Sequence, residues 1–96
     1  MLNSKDRAKL RSLANGLPAI FHLGKDGLNP ELVQGIREAL ETRELIKIDL
    51  LQNCAEDVRE VARIISERTH SEVVQVIGRK FVLYKKSNTK KGEPIL

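Results

Sequence analysis

An α/β (α+β) fold, with elements in the order α-β-α-β-α-β-β and a four-stranded mixed sheet packed against helices, is what this 96-residue sequence predicts. Three observations predict it. Apolar residues recur at helical spacing in three stretches, each with its own start and stop signals. Two short strand-like runs separate those stretches. A pair of β-branched and aromatic runs, divided by Gly78-Arg79, then closes the pattern as a hairpin. The length suits one domain with a core of its own, expected over residues 1–86, followed by a flexible basic tail over residues 87–96.

The first helix is expected over residues 5–14. Ser4 offers a capping hydroxyl, Leu10, Leu13, Ala14 and Leu17 recur on one face, and Asn15-Gly16 with Pro18 beyond supplies the stop. Residues 19–23, "AIFHL", form a short apolar run that suits a buried strand. Asn29 then offers an N-cap oxygen and Pro30 takes the first helical position, where a missing N–H costs nothing; Leu32, Val33, Ile36, Ala39 and Leu40 make the apolar stripe of a second helix. In "LIKIDLL", residues 45–51, Ile46, Ile48 and Leu50 alternate with Lys47 and Asp49, the period of a strand with one buried face.

Asn53 and Glu56 have the spacing of a capping box for a third helix, with Val58, Val61, Ala62 and Ile65 on one face and an end near Thr69. "EVVQVI" and "KFVLYKK" follow as strands, and glycine at the first turn position favours a type II′ hairpin. Crossovers of this length predict that the first three strands are parallel neighbours and that the last is antiparallel to the third. "SNTKKGEPIL" has no periodicity, the mark of a mobile tail.

Composition excludes several classes of function. No apolar run approaches the roughly 18 residues of a membrane span, and no apolar stretch follows the charges of "MLNSKDRAKLRS", so a cytoplasmic protein is expected, with a transit peptide as the alternative that its basic amphipathic character offers. Two histidines and one cysteine, spread from 22 to 70, give no metal-ligand spacing, and no metal or cofactor is expected. Cys54, without a base nearby in sequence, reads as structural, and His22 as a strand-end histidine with satisfied hydrogen bonds. Glu38, Glu41 and Glu44 read as a solvated helix face near Arg37 and Arg43. Nothing here requires catalysis.

Net charge is +4, and its distribution is uneven. Residues 1–30 carry five basic and two acidic side chains, residues 31–72 six and ten, and residues 73–96 six and one. If the two basic ends meet in the fold they make one positive face, the footprint of a polyanion binder.

The stretch "HLGKDGLNPEL", residues 22–32, tells what such a face could seat. Gly24 and Gly27 flank Lys25 and Asp26 between the end of the first strand and the start of the second helix. Glycine lets another molecule's backbone lie close, and the free N–H groups of the helix start favour an anion, which makes phosphate the natural visitor. Lys25 can add a mobile positive charge, whereas Asp26 is expected to turn inward and bond backbone amides. A P-loop is excluded, because GxxxxGK[ST] is absent. Taken alone, GxxG also fits an Asn-capped turn that needs glycine for purely conformational reasons, but a GxxG turn abutting a helix is how KH modules clamp a nucleic-acid backbone, and here basic chain ends accompany it.

"LGKDGL", "ELIKIDLL" and "VQVIGRKFVLYKK", in this order and separation, resemble the signature blocks of the YhbY family, the bacterial stand-alone form of the CRM RNA-binding domain. The resemblance covers about residues 4–86. It implies a fold similar to the C-terminal domain of bacterial initiation factor three, a GxxG loop that contacts RNA, and association with pre-50S particles during ribosome biogenesis. Relatives of the domain in plants serve organellar intron splicing. By the resemblance, Gly24, Lys25, Asp26 and Gly27 carry over directly as RNA-binding residues. Lys5, Lys9, Arg11, Arg79, Lys80, Lys85 and Lys86 do so as charge in comparable regions.

Aromatic residues total 3%. Phe21 and Phe81 are expected in the core, which leaves no platform for stacking successive bases. Structured RNA held through phosphates and shape is therefore the expected partner, bound by a monomer without enzymatic activity. A protein-interaction module on the ribosome is the alternative. Bulky residues at Gly24 or Gly27 are expected to weaken binding with the fold largely intact.

Overall fold

The computed structural model describes residues 2–87, 95 and 96. All seven elements are present in the expected order: α1 Ser4–Ala14, β1 Ala19–Leu23, α2 Pro30–Arg43, β2 Leu45–Leu50, α3 Val58–Thr69, β3 Glu72–Ile77 and β4 Lys80–Tyr84. None of the described helices is long and apolar enough to cross a membrane.

The caps show how local chemistry places the boundaries. Asn29 Oδ1 accepts from Leu32 N at 2.8 Å, with Pro30 at the first helical position, so α2 starts as its sequence predicts. The other two starts differ. Asn3, not Ser4, caps α1, its Oδ1 accepting from Asp6 N at 2.8 Å. Asp57 caps α3, and Asn53 and Glu56 lie in the preceding loop rather than in a capping box. In both places two residues with cap chemistry stand close together, and spacing alone does not choose between them.

The four strands form one mixed sheet in the order β1-β2-β4-β3. β1 and β2 are parallel, with Leu23 opposite Leu50, whereas β4 is antiparallel to both β2 and β3. β3 is thus not a neighbour of β2, which corrects the expectation of three adjacent parallel strands. The reason is burial. Phe81, Val82, Leu83 and Tyr84 of β4 are all buried, on both faces, and the centre of the sheet is where both faces are covered. The less apolar β3 takes the edge. β1 is the other edge, and only its Leu23 is buried, so it is a half-covered strand and not a buried one. Gly78 has φ +57° and Arg79 is not in the positive region, the pattern of a II′ turn.

Helices cover the sheet on both sides. Ile36 and Leu40 of α2 and Val61, Ala62 and Ile65 of α3 pack with Ile46, Ile48, Leu50, Phe81 and Leu83. Leu10 and Ala14 of α1 pack on the opposite face with Leu45, Val74, Val82 and Tyr84. Each large side chain so buried contributes about 1.5–3 kcal/mol relative to exposure.

Glu44 departs most from the sequence reading. It is 0% exposed, with φ 64°, and it ends α2. Its carboxylate accepts from Ser87 N at 2.8 Å and from Ile95 N at 3.3 Å, and its carbonyl from Lys85 N at 2.9 Å. Helical periodicity placed it with Glu38 and Glu41 on a solvated face, but the join between α2 and β2 turns it inward under the chain that follows β4. Arg37, expected beside those glutamates, instead donates from Nε to the carbonyl of Arg68 at the end of α3, at 3.1 Å. Most of the tail expected over residues 87–96, namely residues 88–94, lies outside the described residues.

Candidate nucleic-acid interface

Parallel pairing of β1 and β2 sends the loops that follow them to the same end of the sheet, and the Gly78-Arg79 turn arrives there too, because Lys80 pairs with Asp49. This end carries residues 24–29, residues 51–57 and the hairpin. Both α2 and α3 begin here.

Residues 24–27 form a closed β-turn in which Gly27 N donates to Gly24 O at 3.0 Å. Lys25 and Asp26 occupy the two corners and are exposed, while the glycines are half-buried. Asp26 therefore points outward, which corrects the expectation that it bonds backbone amides. Neither glycine is incidental. A Cβ on Gly24 would sit 3.4 Å from Asn53 Oδ1 and 3.6 Å from Leu51 Cδ1. Gly27 has φ +63°, where L residues are strained, and a Cβ there would meet Glu56 Oε1 at 3.0 Å. The turn is pressed against the 51–56 loop on one side and presents Lys25 on the other. A bulky residue at Gly27 therefore strains the backbone as well as blocking an approach, contrary to the expectation of a fold left intact.

The cations predicted from sequence fall into separate groups. Lys25, Arg79 and Lys80 share the loop end. Lys85 and Lys86 follow β4 at the opposite end of the strands, about 17 Å away at about 3.4 Å per residue. There they border one cleft with Leu2, Glu72 and Tyr84, and Lys85 Nζ is 3.6 Å from Glu41 Oε1. The basic chain ends do meet, but across the sheet from the turn. Lys5, Lys9 and Arg11 are exposed on α1, whose buried side chains cover the face away from α2 and α3.

Arg79 differs from the lysines. Its Nε donates to Leu50 O at 3.2 Å, and its Nη2 to Leu51 O at 3.0 Å and Cys54 O at 2.7 Å. No signal in the linear sequence marks these contacts, or those of Asn53 and Glu56 with the turn, because each joins segments that only the sheet brings together.

Electrostatically the loop end is mixed. Asp26, Asp49, Glu56 and Asp57 stand among its cations, and Asp49 Oδ2 is 3.4 Å from the Nδ1 of His22, which is therefore exposed but not unpartnered. The cap of α2, Asn29, is neutral, but Glu31 in its first turn offsets part of the helix dipole, whereas α3 carries two carboxylates at its start, Asp57 and Glu60; each such effect is worth about 0.3–1 kcal/mol. Attraction for an anion is thus local to the turn, where Lys25 is exposed, rather than spread over this end of the sheet.

Base stacking has little to work with, since Phe81 and Tyr84 are buried and Phe21 is partly buried against the core. Cys54 is a buried free thiol, and among the described residues no group of three or more His, Cys, Asp or Glu could hold a metal ion.

The chain is similar to known proteins over most of its length. Residues 2–85 match the model of the CRS1 / YhbY (CRM) domain. The chain is 47% identical over 91 residues to "Probable RNA-binding protein YqeI" of Bacillus subtilis, covering 95% of each. It is 32% identical over 90 residues to an RNA-binding protein of Haemophilus influenzae, covering 94% of this chain and 91% of the other. The solution structure of SAV1595 from Staphylococcus aureus superposes with a TM-score of 0.77 at 46% identity, over 92% of both chains.

Proposed function

The chain belongs to the CRS1/YhbY (CRM) domain family, and from that premise we propose that it is a non-catalytic RNA-binding protein of the cytoplasm. Its partner in this reading is structured precursor RNA of the large ribosomal subunit, met on the pre-50S particle during assembly. The observation that carries the reading is the closed turn of residues 24–27, which exposes Lys25 beside half-buried glycines at the start of α2. A phosphate can approach that backbone without meeting a Cβ, and Lys25 with the backbone N–H groups at the start of α2 favours it against the opposing charge of Glu31 in the first turn.

The burial of Phe81 and Tyr84 supports recognition through phosphates and shape over base stacking. The mechanism is electrostatic capture by exposed lysines, followed by close seating of one phosphate strand on the turn. The distant pair Lys85 and Lys86 contributes to capture but not to the seat.

The test is a binding titration of the purified protein with protein-free large-subunit ribosomal RNA over a range of salt concentrations. The logarithm of the binding constant is expected to fall linearly with the logarithm of salt concentration, by about 0.7–0.9 in slope per phosphate contacted. Binding without salt dependence contradicts phosphate-led recognition. Absence of binding to bare RNA, combined with retention on pre-50S particles, would transfer the reading to a protein contact.

A further inference from the structure

We propose that Arg79 is a positioning residue for the turn of residues 24–27, acting through the 51–56 loop, and not itself a phosphate ligand. Its effect on RNA rests on the reading above, but the brace can be measured without RNA.

The first observation is the commitment of its side chain. Three of the five N–H donors of a guanidinium are directed at the carbonyls of Leu50, Leu51 and Cys54, at 3.2, 3.0 and 2.7 Å. The main chain of Arg79 holds the same place, since its carbonyl accepts from Leu50 N at 2.8 Å. Residues 51–54 close a turn of their own through Cys54 N to Leu51 O at 2.9 Å, and the buried Cys54 anchors it in the core. Three carbonyls converge where the chain leaves β2, and a cationic fork satisfies them together. Such a set needs a planar donor with several N–H vectors; the ammonium of lysine, a point charge on a flexible stem, does not span it.

The second observation is what that loop touches. Leu51 N donates to Leu23 O at 2.8 Å, immediately before Gly24. Asn53 and Leu51 lie within contact distance of where a Cβ of Gly24 would be, at 3.4 and 3.6 Å, and Glu56 lies 3.0 Å from that of Gly27. The RNA-facing turn therefore has the 51–56 loop as its backing, and Arg79 holds the first part of that loop. Lys80, next in sequence and exposed, makes no such contacts and serves as the control for charge.

The experiment compares the full-length wild-type chain with Arg79→Lys, Asn53→Ala and Lys80→Ala, all studied well below their melting temperatures. Two readouts are taken: amide hydrogen exchange at residues 24–27, above all at the Gly27 amide bonded to Gly24 O, and affinity for protein-free large-subunit ribosomal RNA as salt is varied. Arg79→Lys keeps the charge and is expected to speed exchange at the turn and to weaken RNA binding about tenfold, on the scale of one lost coupling between neighbouring groups. The salt slope should stay unchanged.

Asn53→Ala, which leaves charge and the arginine fork untouched, should move both readouts the same way; unchanged readouts would show that the loop does not back the turn and overturn the assignment, even if Arg79→Lys does not fold. Lys80→Ala should lower the slope without altering exchange. Arg79→Lys with wild-type exchange, or with faster exchange but wild-type affinity, overturns the assignment. If the wild-type chain binds no RNA, the RNA-binding reading fails, and the exchange data alone then decide whether Arg79 holds the turn.

Discussion

A Cβ on Gly27 would stand 3.0 Å from Glu56 Oε1, on backbone whose φ is already +63°. Two costs coincide there, a left-handed conformation and a crowded neighbour. Gly27→Ala is therefore predicted to destabilise the fold by at least about 1–2 kcal/mol. In a domain of this size each kcal/mol lowers the melting temperature by about 4–8 °C. Thermal unfolding followed by circular dichroism checks it, and an unchanged midpoint would show that the turn adapts. Gly24→Ala, whose nearest contact is Asn53 Oδ1 at 3.4 Å, should cost less.

Lys25 stands at the corner of the turn, whereas Lys85 lies across the sheet and near Glu41. Lys25→Ala is predicted to lower the salt slope of RNA binding by about 0.7–0.9, the contribution of one phosphate contact. Lys85→Ala should change it less. Equal losses from both, read in the same titration, would mean that the whole surface binds diffusely and the turn is no special seat.

Glu44 is fully buried and its carboxylate serves two backbone donors, Ser87 N and Ile95 N. Glu44→Ala orphans those donors and is predicted to cost about 2–4 kcal/mol. Urea denaturation should show the loss as a lower midpoint, and a midpoint within error of wild type would refute a structural role for the carboxylate.

Tyr84 is the chain's one tyrosine, and burial, aided by the charges of Glu44 and Asp6, raises its phenol above the ordinary value of 10.0. Because the folded form holds its proton more tightly than the unfolded chain, this contribution to stability is complete below pH 10.0 and is lost as pH climbs from there through the raised folded value. Phenolate absorbance, uncomplicated by tryptophan, should titrate with a midpoint above 10.0 in the folded protein and at the ordinary value in denaturant. Tyr84→Phe should remove that part of the alkaline loss of stability.

Much of this architecture could be read from the chain before any coordinates. Element order, the Asn29-Pro30 start of α2, the II′ hairpin and the alternation of Ile46, Ile48 and Leu50 with Lys47 and Asp49 are dictated by neighbours a few residues apart. The GxxG stretch announced itself in the same way, because a turn before a helix is a local event. Resemblance of the sequence blocks pointed to the family that the comparisons then showed.

Tertiary structure alone decided what depends on distant segments. It set β4 between β2 and β3, since the most apolar strand gains most from the centre of the sheet. It turned Glu44 inward, divided the cations between two ends of the sheet, and converted Arg79 from an expected surface charge into the fork that holds three carbonyls. Periodicity reports which face of an element is apolar. It carries no information about which other segment arrives at that face, and that arrival is what brings Asn53 and Glu56 to the turn of residues 24–27.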